Sequence, residues 1–233
     1  MRPLPPPAEK RRDRIRPHVD RILPYGCGGG WRSIVVMERA LVVIDVQESF
    51  RQRPIWRAIS NPGIADAVGR LVGYARSAGD LVVWVLHAEP ETGSVFDPAR
   101  GFVRFIEPLA PAGGEPVLTK TSHNAFTTTS LQRILTSRGI GELLIAGIRT
   151  EQCCETTARL ASDLGYQVTF VTDATATNPI AHRDAPADQT VDQLLADPRT
   201  LPASAVIERT EYALAGRFAA IRTVADVTAQ PAR

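Results

Sequence analysis

The chain of 233 residues has the length and composition of one soluble α/β domain rather than of a membrane or fibrous protein. Its net charge of +2 conceals an asymmetry, because residues 1–36 hold 8 Lys/Arg against 3 Asp/Glu and the remainder holds 19 against 22. The mildly acidic remainder predicts no nucleic-acid partner, and no apolar run approaches the ~18 residues that a membrane span needs. Three cysteines, two of them adjacent, make no disulfide framework, so we expect a reducing, cytoplasmic location.

Residues 1–36 are rich in Pro, Arg and Gly and show no sustained hydrophobic periodicity. We therefore predict a disordered basic extension here, followed by one folded domain over residues 37–233. A start codon upstream of the natural one, with Met37 as the true start, explains the extension most simply, and a basic arm is the alternative. The "GCGGG" run around Cys27 follows no predicted strand, so we expect no phosphate-binding loop there.

From Ala40 onward, short apolar runs alternate with helical patterns, which is typical of parallel strands joined by crossover helices. The predicted strands are "ALVVIDV", "LVVWVLH", "PVLTK", "ELLIAGI", "QVTFVTDA" and a short strand near "AIRTVADV". Helices are expected from an N-cap at Asn61 to Gly79, through "TTSLQRILTSRG", after the fourth strand, near "ADQTVDQLLAD", and from Ser204 to about Ala219. The long segment 88–115 is predicted to be irregular. Together these elements predict a three-layer, Rossmann-like α/β fold: an open, mostly parallel sheet of about six strands with helices on both faces.

Polar residues that follow the apolar strands are the candidate site residues, because ligands of open parallel sheets bind beyond the carboxyl ends of the strands. Asp45 follows the first strand, Lys120 ends the third, and Cys153 and Cys154 open the helix after the fourth. Each residue alone could be a turn, solvated or buried side chain. Together they place an acid, a base and a thiol at one edge of the sheet, which indicates nucleophilic catalysis.

Helix geometry distinguishes the two cysteines. At ~100° per residue, Glu155 and Arg159 lie on a predicted solvent face as an i,i+4 pair, and Cys153 and Thr157 lie nearly opposite, facing the sheet. A place in the first helical turn is expected to lower the pKa of the Cys153 thiol. Cys154 is expected to be a small buried side chain.

The segments "LVVIDVQESF", "TKTSHNAF" and "GIRTEQCCETTARLASDLGYQVTFVTDA" resemble the three motifs of the isochorismatase-like cysteine hydrolases. The resemblance covers about residues 39–177 and, more weakly, the C-terminal helix and strand. The family includes nicotinamidases, N-carbamoylsarcosine amidohydrolases, and ureidoacrylate and biuret hydrolases, alongside isochorismatases. It implies a triad of Asp45, Lys120 and Cys153, in which Cys153 attacks a carbonyl, Asp45 carries the proton and Lys120 holds the charges together.

The resemblance also implies the surroundings of the triad. Backbone N–H groups of Arg149 and Cys153 would form the oxyanion hole, after a cis peptide bond between Ile148 and Arg149. Three residues beside the matched motifs are candidate substrate-binding residues, although each could equally be core or turn: Phe50, Asn124 and Phe126.

Departures from the motifs of the family's subgroups narrow the range of reactions that the protein is expected to catalyse. Nicotinamidases place an Asp and two His after the second strand to bind a metal, whereas this chain has "VLHAEPETGSVFDP", with His87 and Glu89 but no such trio. We therefore expect neither a metal nor a cofactor. Several isochorismatases that cleave a vinyl ether lack the cysteine, so Cys153 favours hydrolysis of a small amide, carbamoyl or ureido C–N bond. A vinyl-ether hydrolase with Asp45 as the acid, or a non-catalytic protein of this fold, are the alternatives.

Two other classes explain the sequence less well. A nucleotide-binding protein would need G-x-G-x-x-G after the first strand, where the chain has "DVQESF". A redox protein with adjacent thiols would leave Asp45 and Lys120 unexplained, and the chain lacks C-x-x-C. We expect a small-molecule substrate and a homo-oligomer, a dimer or a tetramer, with no membrane partner.

Overall fold

One parallel sheet organises the domain. The computed structural model describes residues 38–229, so the predicted basic extension and Cys27 lie outside the described residues. The strands are β1 (Glu38–Ile44), β2 (Leu81–His87), β3 (Val117–Lys120), β4 (Ile140–Ile148), β5 (Gln167–Ala176) and β6 (Ala220–Arg222). They form a six-stranded sheet in the order β3-β2-β1-β4-β5-β6, and every neighbouring pair is parallel. The predicted α/β fold class is confirmed.

Helices cover both faces of this sheet. They are α1 (Glu48–Arg51), α2 (Ile64–Ala78), α3 (Leu131–Ser137), α4 (Glu155–Asp163), α5 (Val191–Ala196), α6 (Ala203–Leu214) and α7 (Val224–Thr228). Along β1, Leu41 and Val43 pack in one core with α2 and α7, and Val42 and Ile44 pack in another with α3, α4 and α6. Because the central strands are buried on both faces, they appear in the sequence as continuous apolar runs. Every helix within residues 38–229 is too short or too polar to cross a bilayer.

Strands β1 and β4 lie where the order of the sheet reverses, since the chain runs outward from β1 through β2 to β3 and then returns to the other side of β1. Gly147 of β4 is paired with Ile44 of β1 at this point. Its φ is 138°, and a Cβ there would lie 1.9 Å from the carbonyl oxygen of Ile44. Only glycine allows the two strands to approach this closely. The resulting switch point is where open α/β sheets bind ligands.

The start of α2 differs from the prediction. The helix begins at Ile64 with Gly63 at its N-cap, so the predicted N-cap at Asn61 is wrong. The side-chain amide of Asn61 instead donates to the carbonyl oxygen of Asp173, 3.0 Å away. The predicted end is confirmed, because Gly79 takes the left-handed conformation that closes the helix.

The C-terminal elements also differ. Helix α6 ends at Leu214 rather than near Ala219, and the last strand stops at Arg222. Thr223 and Asp226 then form a reciprocal capping box that begins α7, a helix that the prediction assigned to the strand. The capping hydrogen bonds outweigh the β-propensity of the valines in this segment.

Candidate active site

The three predicted triad residues meet at the carboxyl edge of the sheet. Nζ of Lys120 lies 2.7 Å from Oδ2 of Asp45, and both side chains are 0% exposed. The same Nζ donates to Sγ of Cys153 at 3.3 Å, and Cys153 is also buried. The structure thus brings a carboxylate, an ammonium and a thiol into one desolvated cluster, with the lysine between the other two groups.

Backbone geometry at the strand ends positions the two charged residues. Asp45 has φ 54°, a conformation uncommon for a residue other than glycine. Its N–H donates to the carbonyl oxygen of Val85, and its own carbonyl accepts from the N–H of Gln47, both at 2.9 Å. Lys120, the last residue of β3, is paired in register with His87 of β2. The side chains of Asp45 and Lys120 therefore leave the sheet at the same edge.

Cys153 lies in a π-helical turn over Thr150–Cys154, between β4 and α4. In this turn the N–H of Cys154 donates to the carbonyl oxygen of Arg149, five residues earlier, at 3.1 Å. The peptide bond between Ile148 and Arg149 is cis. The helix expected to hold both cysteines therefore begins only at Glu155, and the turn has one more residue than a turn of α-helix.

The buried face of α4 differs from the prediction. Glu155, predicted to face solvent, is only 4% exposed. Its carboxylate accepts from Nε of Arg159 at 2.9 Å, from Oγ1 of Thr210 at 3.1 Å, and from the guanidinium of Arg209. The Glu155–Arg159 pair is confirmed, but the solvent face is wrong. Glu155 connects α4, and with it the turn that carries Cys153, to α6.

Burial governs the ionisation of the cluster. It raises the pKa of the Cys153 thiol to about 12, with a smaller contribution from the negative charge of Asp45, while Lys120 acts in the opposite direction. The expected lowering by the helix terminus is therefore wrong, because desolvation outweighs it. Burial also raises the pKa of Asp45, which Lys120 partly offsets. Oδ1 of Asp45 is buried without a hydrogen-bond partner in the described chain, which leaves it free to accept the thiol proton.

Cys154 differs from its neighbour. Its side chain is fully buried in the core beside Ala158 and Ala161, and burial raises the pKa of its thiol well above the usual value. The predicted small buried side chain is confirmed.

His87 belongs to the cluster, although the sequence analysis gave it no place in the site. Its Nδ1 lies 3.4 Å from Nζ of Lys120, and its Nε2 lies 3.5 Å from Oε1 of Glu89. Burial and the charge of Lys120 lower the pKa of His87, so the ring is neutral at pH 7 and Nδ1 can accept from the ammonium. The pairing of the last residues of β2 and β3 was the signal for this contact. Among residues 38–229, no three His, Cys, Asp or Glu side chains are grouped as a metal site would need.

Phe50, one of the predicted pocket residues, is connected to this cluster by aromatic contacts. Its buried ring packs edge-on against Phe96 with centroids 5.0 Å apart, and Phe96 packs edge-on against His87 at 5.6 Å. The guanidinium of Arg149 lies over the Phe50 ring at 6.0 Å. Phe50 thus forms part of a wall that connects α1 with the triad.

Asn124 and Phe126 have structural roles in the turn before α3. Oδ1 of Asn124 accepts from the N–H groups of Phe126 and Thr127, both at 2.9 Å, which fixes the turn. Phe126 is buried in the core and stacks on Tyr166 with centroids 6.0 Å apart. The contacts of these two side chains are internal to the fold, and a role toward substrate stays a prediction.

A parallel α/β sheet with a buried acid, lysine and thiol at its carboxyl edge contains the groups that nucleophilic attack on a carbonyl requires. Residues 39–201 match the Isochorismatase domain family. The chain belongs to the isochorismatase family, whose members include several hydrolases.

Comparison with known proteins gives the same family. The chain is 34% identical over 180 residues to a streptothricin hydrolase of Streptomyces noursei, an alignment that covers 76% of this chain and 65% of that one. It is 25% identical over 177 residues to the ureidoacrylate amidohydrolase RutB of Klebsiella pneumoniae, covering 61% of this chain and 75% of the relative. An isochorismatase-family structure from Chromobacterium violaceum superposes with a TM-score of 0.72 at 26% identity, over 82% of this chain and 92% of that one.

Proposed function

We propose that this protein is a cysteine hydrolase that cleaves a small amide, carbamoyl or ureido C–N bond through a thioester on Cys153. The observation that carries the proposal is the position of the Lys120 ammonium, 2.7 Å from Asp45 and 3.3 Å from Cys153 in a buried cluster. A retained thiol at this place suits acyl transfer. Similarity to a protein named as an amidohydrolase supports a C–N bond as the target.

Acylation begins from a neutral thiol, because burial raises the pKa of Cys153 to about 12. As sulfur attacks the substrate carbonyl, Asp45 takes the thiol proton on its unpartnered Oδ1. The raised pKa of Asp45 makes it a stronger base than an exposed aspartate, and Lys120 balances the negative charge while the proton moves. Because the proton passes directly from the Cys153 thiol to Asp45 during attack, this mechanism does not require a thiolate in the resting enzyme.

The tetrahedral intermediate carries negative charge on the former carbonyl oxygen. We propose that the backbone N–H groups of Arg149 and Cys153 donate to this oxyanion, because both lie at the junction between β4 and the π-helical turn. The C–N bond then breaks, and Asp45 returns its proton to the departing nitrogen. A water molecule, deprotonated by Asp45, hydrolyses the thioester, releases the acid and restores the thiol.

The test is an ammonia-release screen over small amides, carbamoyl and ureido compounds, run beside an isochorismate assay. Wild-type enzyme, Cys153→Ala and Cys154→Ala are compared on each active compound. The proposal expects turnover that Cys153→Ala abolishes and Cys154→Ala largely keeps, together with a mass-spectrometric acyl adduct on the peptide that contains Cys153. Normal turnover by Cys153→Ala, with no adduct in the wild type, would refute it.

A vinyl-ether hydrolase is the second candidate, and the raised pKa of Asp45 favours it, because such chemistry needs a protonated acid. It predicts that isochorismate is cleaved, that Cys153→Ala retains this activity, and that Asp45→Asn abolishes it. The same panel of variants therefore separates the two reactions.

A further inference from the structure

The Arg149 guanidinium is a cation without a hydrogen-bond or ion-pair partner among the described residues. It follows β4 directly, four residues before Cys153, and its side chain is only partly exposed. Within residues 38–229, no acceptor hydrogen-bonds its guanidinium and no carboxylate forms an ion pair with it. Its contact is with the face of the Phe50 ring, which supports the guanidinium without using its N–H donors. Five N–H donors in a half-buried position are costly unless a ligand accepts from them.

The charges around Arg149 leave this cation uncompensated. Burial lowers the pKa of Arg149, the positive charge of Arg53 lowers it further, and Glu151 and Cys153 act in the opposite direction. Glu151 does not bond to the guanidinium, because its Oε2 accepts from Oγ1 of Thr177 at 2.6 Å and its buried Oε1 has no partner in the described chain. Lys120 is already paired with Asp45. The guanidinium of Arg149 therefore has neither Glu151 nor Lys120 as a bonding partner, and its described contact is the Phe50 ring.

We propose that Arg149 binds a carboxylate group of the substrate, so that the enzyme prefers small anionic amides or ureido acids to neutral ones. A planar guanidinium matches a carboxylate through two parallel hydrogen bonds. The anion would accept from the unused N–H donors of Arg149. Arg149 lies four residues before Cys153, and the Phe50 ring beneath its guanidinium reaches His87 of the buried cluster through Phe96, which connects this subsite to the reacting sulfur. This inference rests on the proposed function for its meaning, but its test does not require turnover.

The test compares alkylation of Cys153 by iodoacetate and by iodoacetamide, which share the reacting methylene carbon and differ in charge. In both reactions the sulfur forms a bond to that carbon, iodide leaves with the electron pair of the C–I bond, and the thiol proton is lost to Asp45 or solvent. Rates are measured by mass spectrometry on the peptide that contains Cys153, in a Cys154→Ala background. The quantity of interest is the ratio of the iodoacetate rate to the iodoacetamide rate.

We expect the ratio in the folded enzyme to exceed the ratio in the urea-unfolded chain by about tenfold or more, as one charge-assisted pair allows. Arg149→Gln should return the ratio to within about twofold of the unfolded value, and Arg149→Lys should keep part of the difference. Arg133→Gln, on the exposed side of α3, is the matched control and should leave the ratio unchanged. Circular dichroism of each variant confirms that it is folded.

Two results would overturn the inference: a ratio that Arg149→Gln leaves unchanged, or failure of both reagents to alkylate Cys153 in the folded enzyme. The second counts because Asp45 can take the thiol proton as the sulfur attacks, so a sulfur that neither two-carbon reagent alkylates lies out of reach of a ligand the size of a carboxylate. Failure of the proposed function is a separate outcome. It would appear as an Arg149-dependent ratio in a protein that releases no ammonia from any amide, whereas failure of this inference alone would leave Cys153-dependent hydrolysis intact.

Discussion

Replacing Lys120 by Met removes the cation from a pair in which neither side chain has any exposed surface. The Asp45 carboxylate would then be a buried charge without a counterion, and its pKa, already raised by burial, would rise further. The carboxyl group therefore takes up a proton in the folded state. The free energy of this protonation limits how much stability the substitution can remove.

The limit follows from the pKa of Asp in the unfolded chain. With an unfolded pKa near ~3.9 and about 1.4 kcal/mol per pH unit, protonating Asp45 costs about 4 kcal/mol at pH 7 and about 1.5 kcal/mol at pH 5. A group whose folded pKa is raised contributes most below its unfolded pKa and loses that contribution as pH rises. Lys120→Met should therefore be much less stable than wild type at pH 7 and only modestly less stable at pH 5.

Urea unfolding at pH 5, 6 and 7 measures this difference. The double variant Asp45→Asn with Lys120→Met is the control, because it has no carboxylate to protonate and should lose the steep dependence on pH. If the difference between Lys120→Met and wild type is the same at all three pH values, the buried-pair argument is wrong.

Three further predictions concern the surroundings of this pair. Cys153→Ala should reduce amide turnover by at least about a thousandfold and Cys154→Ala by less than about tenfold, as measured by ammonia release, and equal losses in two folded variants would contradict the assignment. Because the pKa of His87 is lowered, its stabilising contribution is complete above its unfolded pKa of ~6.5 and is lost as pH falls. His87→Gln should therefore flatten the fall in thermal stability between pH 7 and pH 5, and an unchanged slope would argue that the histidine titrates with the same pKa in the folded and unfolded states. Gly147→Ala places a Cβ 1.9 Å from the carbonyl oxygen of Ile44, so we expect a loss of more than about 4 kcal/mol or insoluble protein, and a near-normal unfolding curve would contradict the close approach of β1 and β4.

The strands and the positions of the triad residues could be predicted because the relevant information is local. Central strands buried on both faces give uninterrupted apolar runs, and a parallel sheet places the residues after those runs at one edge. This rule predicts the positions of Asp45 and Lys120 from the sequence alone. Motif resemblance then separated Cys153 from Cys154, and the burial of Cys154 agrees with its predicted place in the core.

Features that depend on distant partners could not be predicted. The hydrogen bonds that bury Glu155 come partly from Arg209 and Thr210, more than 50 residues away. The π-helical turn also shifts the angular position of Cys153 relative to α4, which a uniform helical period cannot represent. The prediction of a lowered pKa for the Cys153 thiol was wrong for a related reason. A position at the start of a helix can be inferred from sequence, but the extent of desolvation is set by the assembled fold.

The high pKa of the Cys153 thiol has a consequence for the durability of the enzyme. With its pKa raised to about 12 by burial, the resting thiol is protonated at pH 7. Peroxides and other oxidants attack the thiolate, so a protonated, buried sulfur is a poor target for conversion to sulfenic or sulfinic acid. Many cysteine enzymes keep a permanently reactive thiolate and are exposed to oxidation between turnovers. If Cys153 is the nucleophile as proposed, its sulfur loses the proton only as it attacks, so the waiting enzyme offers oxidants less thiolate than an enzyme that stores one.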